Sequence, residues 1–135
     1  MTALILAALI VATPLHASGD GTTTPDARWQ SAKAAQYSPN VQRARRWLRR
    51  QMPRRQFRCL YHLWAAESGW RVHAGTPSKA YGIPQAYPGY RMRSAGRDWR
   101  TNALTQVRWG FGHYIRPRYG TPCHALRFQD RHGWY

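Results

Sequence analysis

The run from Phe57 to Ser68, FRCLYHLWAAES, constrains this chain more than any other stretch. Phe57, Leu60, Tyr61 and Trp64 fall at i, i+3, i+4 and i+7, the spacing of one helix face. Gly69 follows at once and is well placed to end the helix. Near the end of the run sits Glu67, the only glutamate in the 135 residues; the other acids are Asp20, Asp26, Asp98 and Asp130. At about 100° per residue, Glu67 projects between Leu60 and Leu63, at the edge of the apolar stripe. A carboxyl there is partly desolvated and lies close to the negative end of the helix dipole. Both effects raise its pKa, as a general acid working near neutral pH requires. The plainer alternative is a glutamate paired with one of many arginines.

The remaining elements follow the same period. Ser38 as N-cap and Pro39 in the first turn start a helix that runs through Val41 to Met52. Val41, Ala44, Leu48 and Met52 share one side, while Arg43, Arg45, Arg46, Arg49 and Arg50 cover much of the rest. A third helix is predicted over Thr101 to Ile115, with Thr101 or Asn102 as cap and Leu104, Val107, Phe111, Tyr114 and Ile115 inward. Gly110 and Gly112 inside it cost about 1 kcal/mol each relative to alanine, which points to close packing against another backbone or a ligand. Pro122 to Phe128 reads as a short final helix. Val72 to Tyr90 is rich in Gly, Pro, Ser and Tyr and reads as loop, with one helical turn around Tyr81 to Ala86. No strand alternation and no internal repeat is visible. The expected fold class is all-α, in one domain.

The first 19 residues contain no charged side chain, and Ala3 to Ala12 is almost wholly apolar. Such a run is too short to cross a bilayer, which takes about 20 residues. It reads as a signal peptide over 1–19 that lacks the usual basic start. A linker over 20–37 and a folded domain over 38–135 complete the organisation. Cys59 and Cys123 would be small buried hydrophobes in a reducing compartment and would pair in an exported protein. The histidines form no metal-ligand pattern, and no metal or cofactor is expected.

Lys and Arg total 21 against five acids, a formal net charge of +16. A chain of this charge adheres to polyanions, whether nucleic acid, anionic membrane or the acidic polymers of a bacterial wall. Charge alone does not choose among them. The Arg43–Arg55 region reads either as a nucleic-acid or membrane element or as the solvated face of a docked helix.

Five ordered blocks carry a family resemblance. They are CLYHLWAAESGWRVHA from Cys59, AYGIPQAYPGYRM from Ala80, DWRTNALTQVRWGFGHYI from Asp98, RYGTPCHAL from Arg118, and the final Trp134-Tyr135. Glu67-Ser68 followed by Tyr81-Gly82-Ile83-Pro84-Gln85 resembles the Glu-Ser and Gly-Leu-Met-Gln motifs of soluble lytic transglycosylases. The full set resembles the small secreted transglycosylase-like proteins of actinobacteria and their phages, over about Phe57 to Tyr135. Three positions depart from the pattern. Thr76 to Lys79 is a residue short, His113 is an extra residue before Tyr114-Ile115, and Leu126 stands where a tryptophan is common.

The resemblance implies a lysozyme-like domain that cleaves peptidoglycan, secreted or in the cell envelope, and a Cys59–Cys123 disulfide. It implies that Glu67 is catalytic, that Ser68 positions it, and that Gln85 lines the sugar cleft. Tyr81 and Tyr114 contact sugar or bond near Glu67 on this reading, and are core residues on the plainer one. Trp70, Trp109 and Trp134 offer stacking faces, though in a small domain most tryptophans are core. Asp98 reads as a turn or cap residue rather than a second catalytic acid. The expected partners are peptidoglycan glycan strands and anionic wall polymers, with no specific nucleic acid, and the chain is expected to be a monomer. The competing expectations are a glycan-binding domain that does not cut, a muramidase on the same site, and a nucleic-acid or membrane binder.

Overall fold

The structure, a computed structural model, describes residues 37–135, so the signal peptide and nearly all of the linker lie outside the described residues. Helix α1, Pro39–Gln51, starts as expected, with the Ser38 hydroxyl accepting from the Val41 amide at 3.4 Å. Val41, Ala44 and Leu48 are buried on its inner side. Arg43, Arg46, Arg49 and Arg50 are exposed, but Arg45 turns inward and keeps only 8% of its surface.

Helix α2, Arg54–Ser68, begins three residues before Phe57. Pro53 explains the earlier start: it cannot sit inside a helix, yet it fits the N-cap, and its carbonyl accepts from the Phe57 amide. Gly69 ends the helix with φ +60°, and its N–H returns to the Ala65 carbonyl at 3.0 Å. Leu60, Leu63 and Trp64 are completely buried, worth roughly 1.5–3 kcal/mol each.

The segment after α2 departs from expectation. The helical turn at Tyr81 to Ala86 is absent; these two residues instead exchange both backbone hydrogen bonds at 3.1 Å, as an isolated antiparallel bridge. Gly82 at φ +75° and Gln85 at φ +47° are left-handed and break any right-handed turn between them. The helical turn appears later, as a 3-10 helix over Gly89–Ala95.

Helix α3, Ala103–Arg108, is capped by Asn102, whose side-chain oxygen accepts from the Leu104 amide at 2.9 Å. It continues as a π-helical segment, Trp109–Ile115, and then as helix α4, Arg116–Tyr119. A π turn absorbs one extra residue without breaking the rod. Gly110 meets the expectation of close packing: a Cβ there would lie 2.7 Å from Trp64 Cζ2 and 2.9 Å from Pro84 Cβ. Gly112 does not, since a Cβ there meets nothing within 4 Å. Helix α5, Pro122–His132, is one turn longer than expected.

Helix α2 packs along α5, and α1 along α3. The Cys59–Cys123 disulfide joins α2 to α5 with Cα atoms 4.9 Å apart. One core cluster is built on Leu48, Leu60, Leu63, Trp64, Trp70, Ile83, Val107 and Ile115. A second gathers Tyr81, Ala86, Met92, Trp99 and Trp109. The described residues form helices, turns and isolated bridges, and the fold is all-α. No helix among them is long and apolar enough to cross a membrane.

Candidate active site

Glu67 occupies the last turn of α2 and is half-buried. Its Oε1 accepts a hydrogen bond from Gln129 Nε2 of α5 at 2.8 Å. Burial raises the carboxyl pKa, and the Gln129 amide, which favours the charged form, works against that rise. No basic side chain contributes to the shift, so the alternative of an arginine-paired glutamate is not what these residues build. The result is a carboxyl that holds its proton longer than usual while one oxygen is fixed in direction.

Tyr135 is the next neighbour. Its hydroxyl accepts from Trp64 Nε1 at 2.8 Å and donates to the Pro84 carbonyl at 2.7 Å. Burial, and then the negative charge of Glu67, push its pKa well above the usual phenol range. Tyr135 therefore stays a neutral donor that ties α2 to the Ile83–Gln85 loop. It also lines a cleft of about 250 Å³, together with Gln85, Trp109, Tyr114, Arg91 and Arg118. Glu67 is not on the wall of that cleft, and Tyr135 is the residue common to both surroundings.

Ser68 lies beside Glu67 in sequence but does not bond to it. Its buried hydroxyl donates to the Ile83 carbonyl at 2.8 Å, with the Trp64 carbonyl a longer alternative at 3.2 Å. It thus ties the end of α2 to the following loop. Gln85 is half-buried on the cleft wall. Its amide donates to the Gly82 carbonyl at 2.9 Å and the Ala74 carbonyl at 3.2 Å. Those bonds hold a non-glycine residue in left-handed backbone, which costs on the order of 1 kcal/mol. Tyr114 lines the cleft, stacks on Trp109 and donates to a backbone oxygen of Tyr135 at 2.9 Å.

Tyr81 is placed elsewhere. It is 6% exposed, packs edge-on against Trp99, and donates its hydroxyl to the Arg100 carbonyl at 2.9 Å. The plainer reading, core tyrosine, describes it. Trp70 is likewise core, whereas Trp134 is exposed. Asp98 accepts from Thr105 Oγ1 and Asn102 Nδ2, both at 2.6 Å. Those two bonds hold its carboxyl below the usual range, and the side chain organises the start of α3. Among the described residues, no three His, Cys, Asp or Glu side chains come together as a metal site.

Three positions carry weight although the sequence assigned them no candidate role. Gln129 supplies the partner of Glu67. Tyr135 joins that acid to the cleft. Gln106, fully buried, donates to the Val72 and Trp99 carbonyls and accepts from the Ile83 amide, all at 2.9 Å. A polar residue on the inner stripe of a predicted helix was the available signal for Gln106. No protein-family model, curated protein or solved structure matches this chain.

Proposed function

We propose that the protein is a peptidoglycan lytic transglycosylase with a lysozyme-like fold, acting outside the cytoplasm. The observation that carries the reading is the setting of Glu67: a sole glutamate, half-buried at a helix end, with a raised pKa and an amide in place of an ionic partner. Its place within five family-like sequence blocks supports the same conclusion, as does a disulfide-bonded chain without a membrane-spanning helix among the described residues.

The chemistry suits a chain poor in acids. Most glycosidases use two carboxyls roughly 5–10 Å apart. Here Asp98 is committed to the start of α3. One carboxyl suffices if the substrate supplies the nucleophile. Protonated Glu67 gives its proton to the glycosidic oxygen between N-acetylmuramic acid and N-acetylglucosamine, and that bond breaks. The resulting carboxylate takes the proton of the muramic 6-hydroxyl, whose oxygen closes on C1 to form the anhydro ring. Glu67 ends protonated, ready for another cycle, and no cofactor enters. Ser68 and Tyr135 act as positioning residues by fixing the loop that carries Gln85. If water reaches C1 before the 6-hydroxyl, the same site is a muramidase.

A second reading is favoured by one observation: Glu67 is not on the cleft wall. On that reading the domain holds wall glycan without cutting it. The two separate in an assay of soluble muropeptides released from purified sacculi. The transglycosylase reading predicts release by the wild type and none by Glu67→Gln. Retained sacculus binding with no release by either protein would establish the binding domain instead.

A further inference from the structure

The cleft beside Tyr135 carries two guanidinium groups, Arg91 and Arg118, and no Asp or Glu side chain on its wall. A neutral sugar chain is held by rings, amides and hydroxyls and has no need of fixed cations. Arginine, with its planar fork of donors, is suited to carboxylates. The protein is rich in exposed arginines, so their presence alone would mean little. What distinguishes Arg118 is its mounting. Its guanidinium lies 5.5 Å from the Tyr114 ring, 5.6 Å from Tyr119 and 5.5 Å from Trp134. Three rings pre-set its direction and reduce the entropy lost on binding. Arg91, on the 3-10 helix, is exposed and donates to the Tyr87 carbonyl at 3.4 Å. The Tyr87 ring, also on the cleft wall, is 68% exposed.

We propose that Arg91 and Arg118 read carboxylates attached at the muramic-acid side chain, so that the cleft selects acid-bearing wall glycan over neutral glycan of the chitin type. The inference rests on the glycan reading above but not on cleavage. Two sources share the required chemistry: the lactyl carboxylate of peptide-free strands, and the carboxylates of an intact peptide stem.

The test is calorimetric titration of the full chain carrying Glu67→Gln, at low salt, with three oligosaccharides of equal length. They are a chitin oligomer, a muramyl glycan stripped of peptide, and the same glycan with its stems. The acid-bearing glycan should bind about tenfold tighter than chitin. Adding Arg91→Gln and Arg118→Gln should abolish that preference. Adding Arg127→Gln and Arg131→Gln, which removes two other exposed arginines, should preserve it. If the stripped glycan binds like the stem-bearing one, the lactyl carboxylate is the group read; if it binds like chitin, the stem is. Equal affinity for all three ligands, a preference that survives in the Arg91/Arg118 variant, or one lost equally in the control variant overturns the proposal. Loss of the enzymatic reading would show separately, as selective binding without muropeptide release by the wild type.

Discussion

Among the described residues, two charged side chains of opposite sign are wholly or half withdrawn from solvent, and neither takes an ionic partner there. Arg45, on α1, is enclosed by rings: its guanidinium lies 4.6 Å from Tyr37, 4.9 Å from Tyr61 and 5.6 Å from Trp70. Glu67, on α2, is half-buried and bonded to one amide, that of Gln129. Burial lowers the pKa of the first and raises that of the second. The consequences differ because the groups differ. A guanidinium keeps its proton at any ordinary pH, so Arg45 is a fixed charge stabilised by π faces. Tyr37 does not neutralise it, since burial and then the Tyr61 hydroxyl push that phenol up to about 12. A carboxyl can exist in either state, so the same desolvation moves the pKa of Glu67 upward, the direction the proposed acid/base role needs. Burial of charge is structural at one site and, on the proposed function, chemical at the other.

The largest test of this contrast is Glu67→Gln. It should lower sacculus lysis by about 10²- to 10⁴-fold without lowering the thermal midpoint, because it removes a desolvated charge. A marked loss of stability would make Glu67 a structural group like Arg45. The opposite variant, Arg45→Ala, should cost about 2 kcal/mol in urea unfolding through lost packing and cation–π contact. It should leave the pH dependence of lysis in place. Ser68→Ala lies between the two classes. Loss of one buried hydrogen bond should cost about 1 kcal/mol, and lysis should fall because the Gln85 loop is released. Unchanged lysis would confine Ser68 to packing.

The smallest effects are titrations. Glu67 is the sole glutamate, so selective ¹³C labelling gives one carboxyl signal to follow. Its pKa should lie above the ordinary glutamate value, and Gln129→Leu should move it further up, since the amide favours the charged form. Movement downward would contradict the assigned role of Gln129. The stability linkage has a definite sign. A carboxyl whose folded pKa is raised contributes stability that is fully present below its unfolded pKa. That contribution is lost as pH rises through the folded value. The wild type should therefore lose stability relative to Glu67→Gln across that window. Asp98, held low by Thr105 and Asn102, contributes with the opposite sign: its share is present above the unfolded pKa and lost on acidification.

The helical parts of the molecule were legible because local signals sufficed. Ser38-Pro39, Gly69 and Asn102 act within one turn of themselves, and each stands where the pattern put it. Glu67 at the edge of the stripe was legible for the same reason. The segment between Val72 and Ala95 was less so. Its shape depends on Gln106 reaching back across the chain to Ile83, Val72 and Trp99, which no local pattern encodes. Gln129 was hidden too, because its role requires knowing that α5 lies along α2. The Cys59–Cys123 pair held that information in part: two turns beyond each cysteine lie Glu67 and the Gln129 region, once the helices are known to run in the same direction. Arg45 was read with its exposed neighbours because cation–π burial leaves no mark in charge pattern. Tyr81 showed the limit of a motif, since a residue inside a family-like block turned out to serve the second core.

The central claim is that Glu67 works as sole acid and base, with the substrate's own hydroxyl as nucleophile. Mass spectrometry of the muropeptides released from purified peptidoglycan, wild type beside Glu67→Gln, tests it most directly. The account predicts wild-type products lighter by one water than hydrolysed muropeptides, and no products from the variant. Products of full hydrolysed mass, or anhydro products that persist in Glu67→Gln, would contradict it.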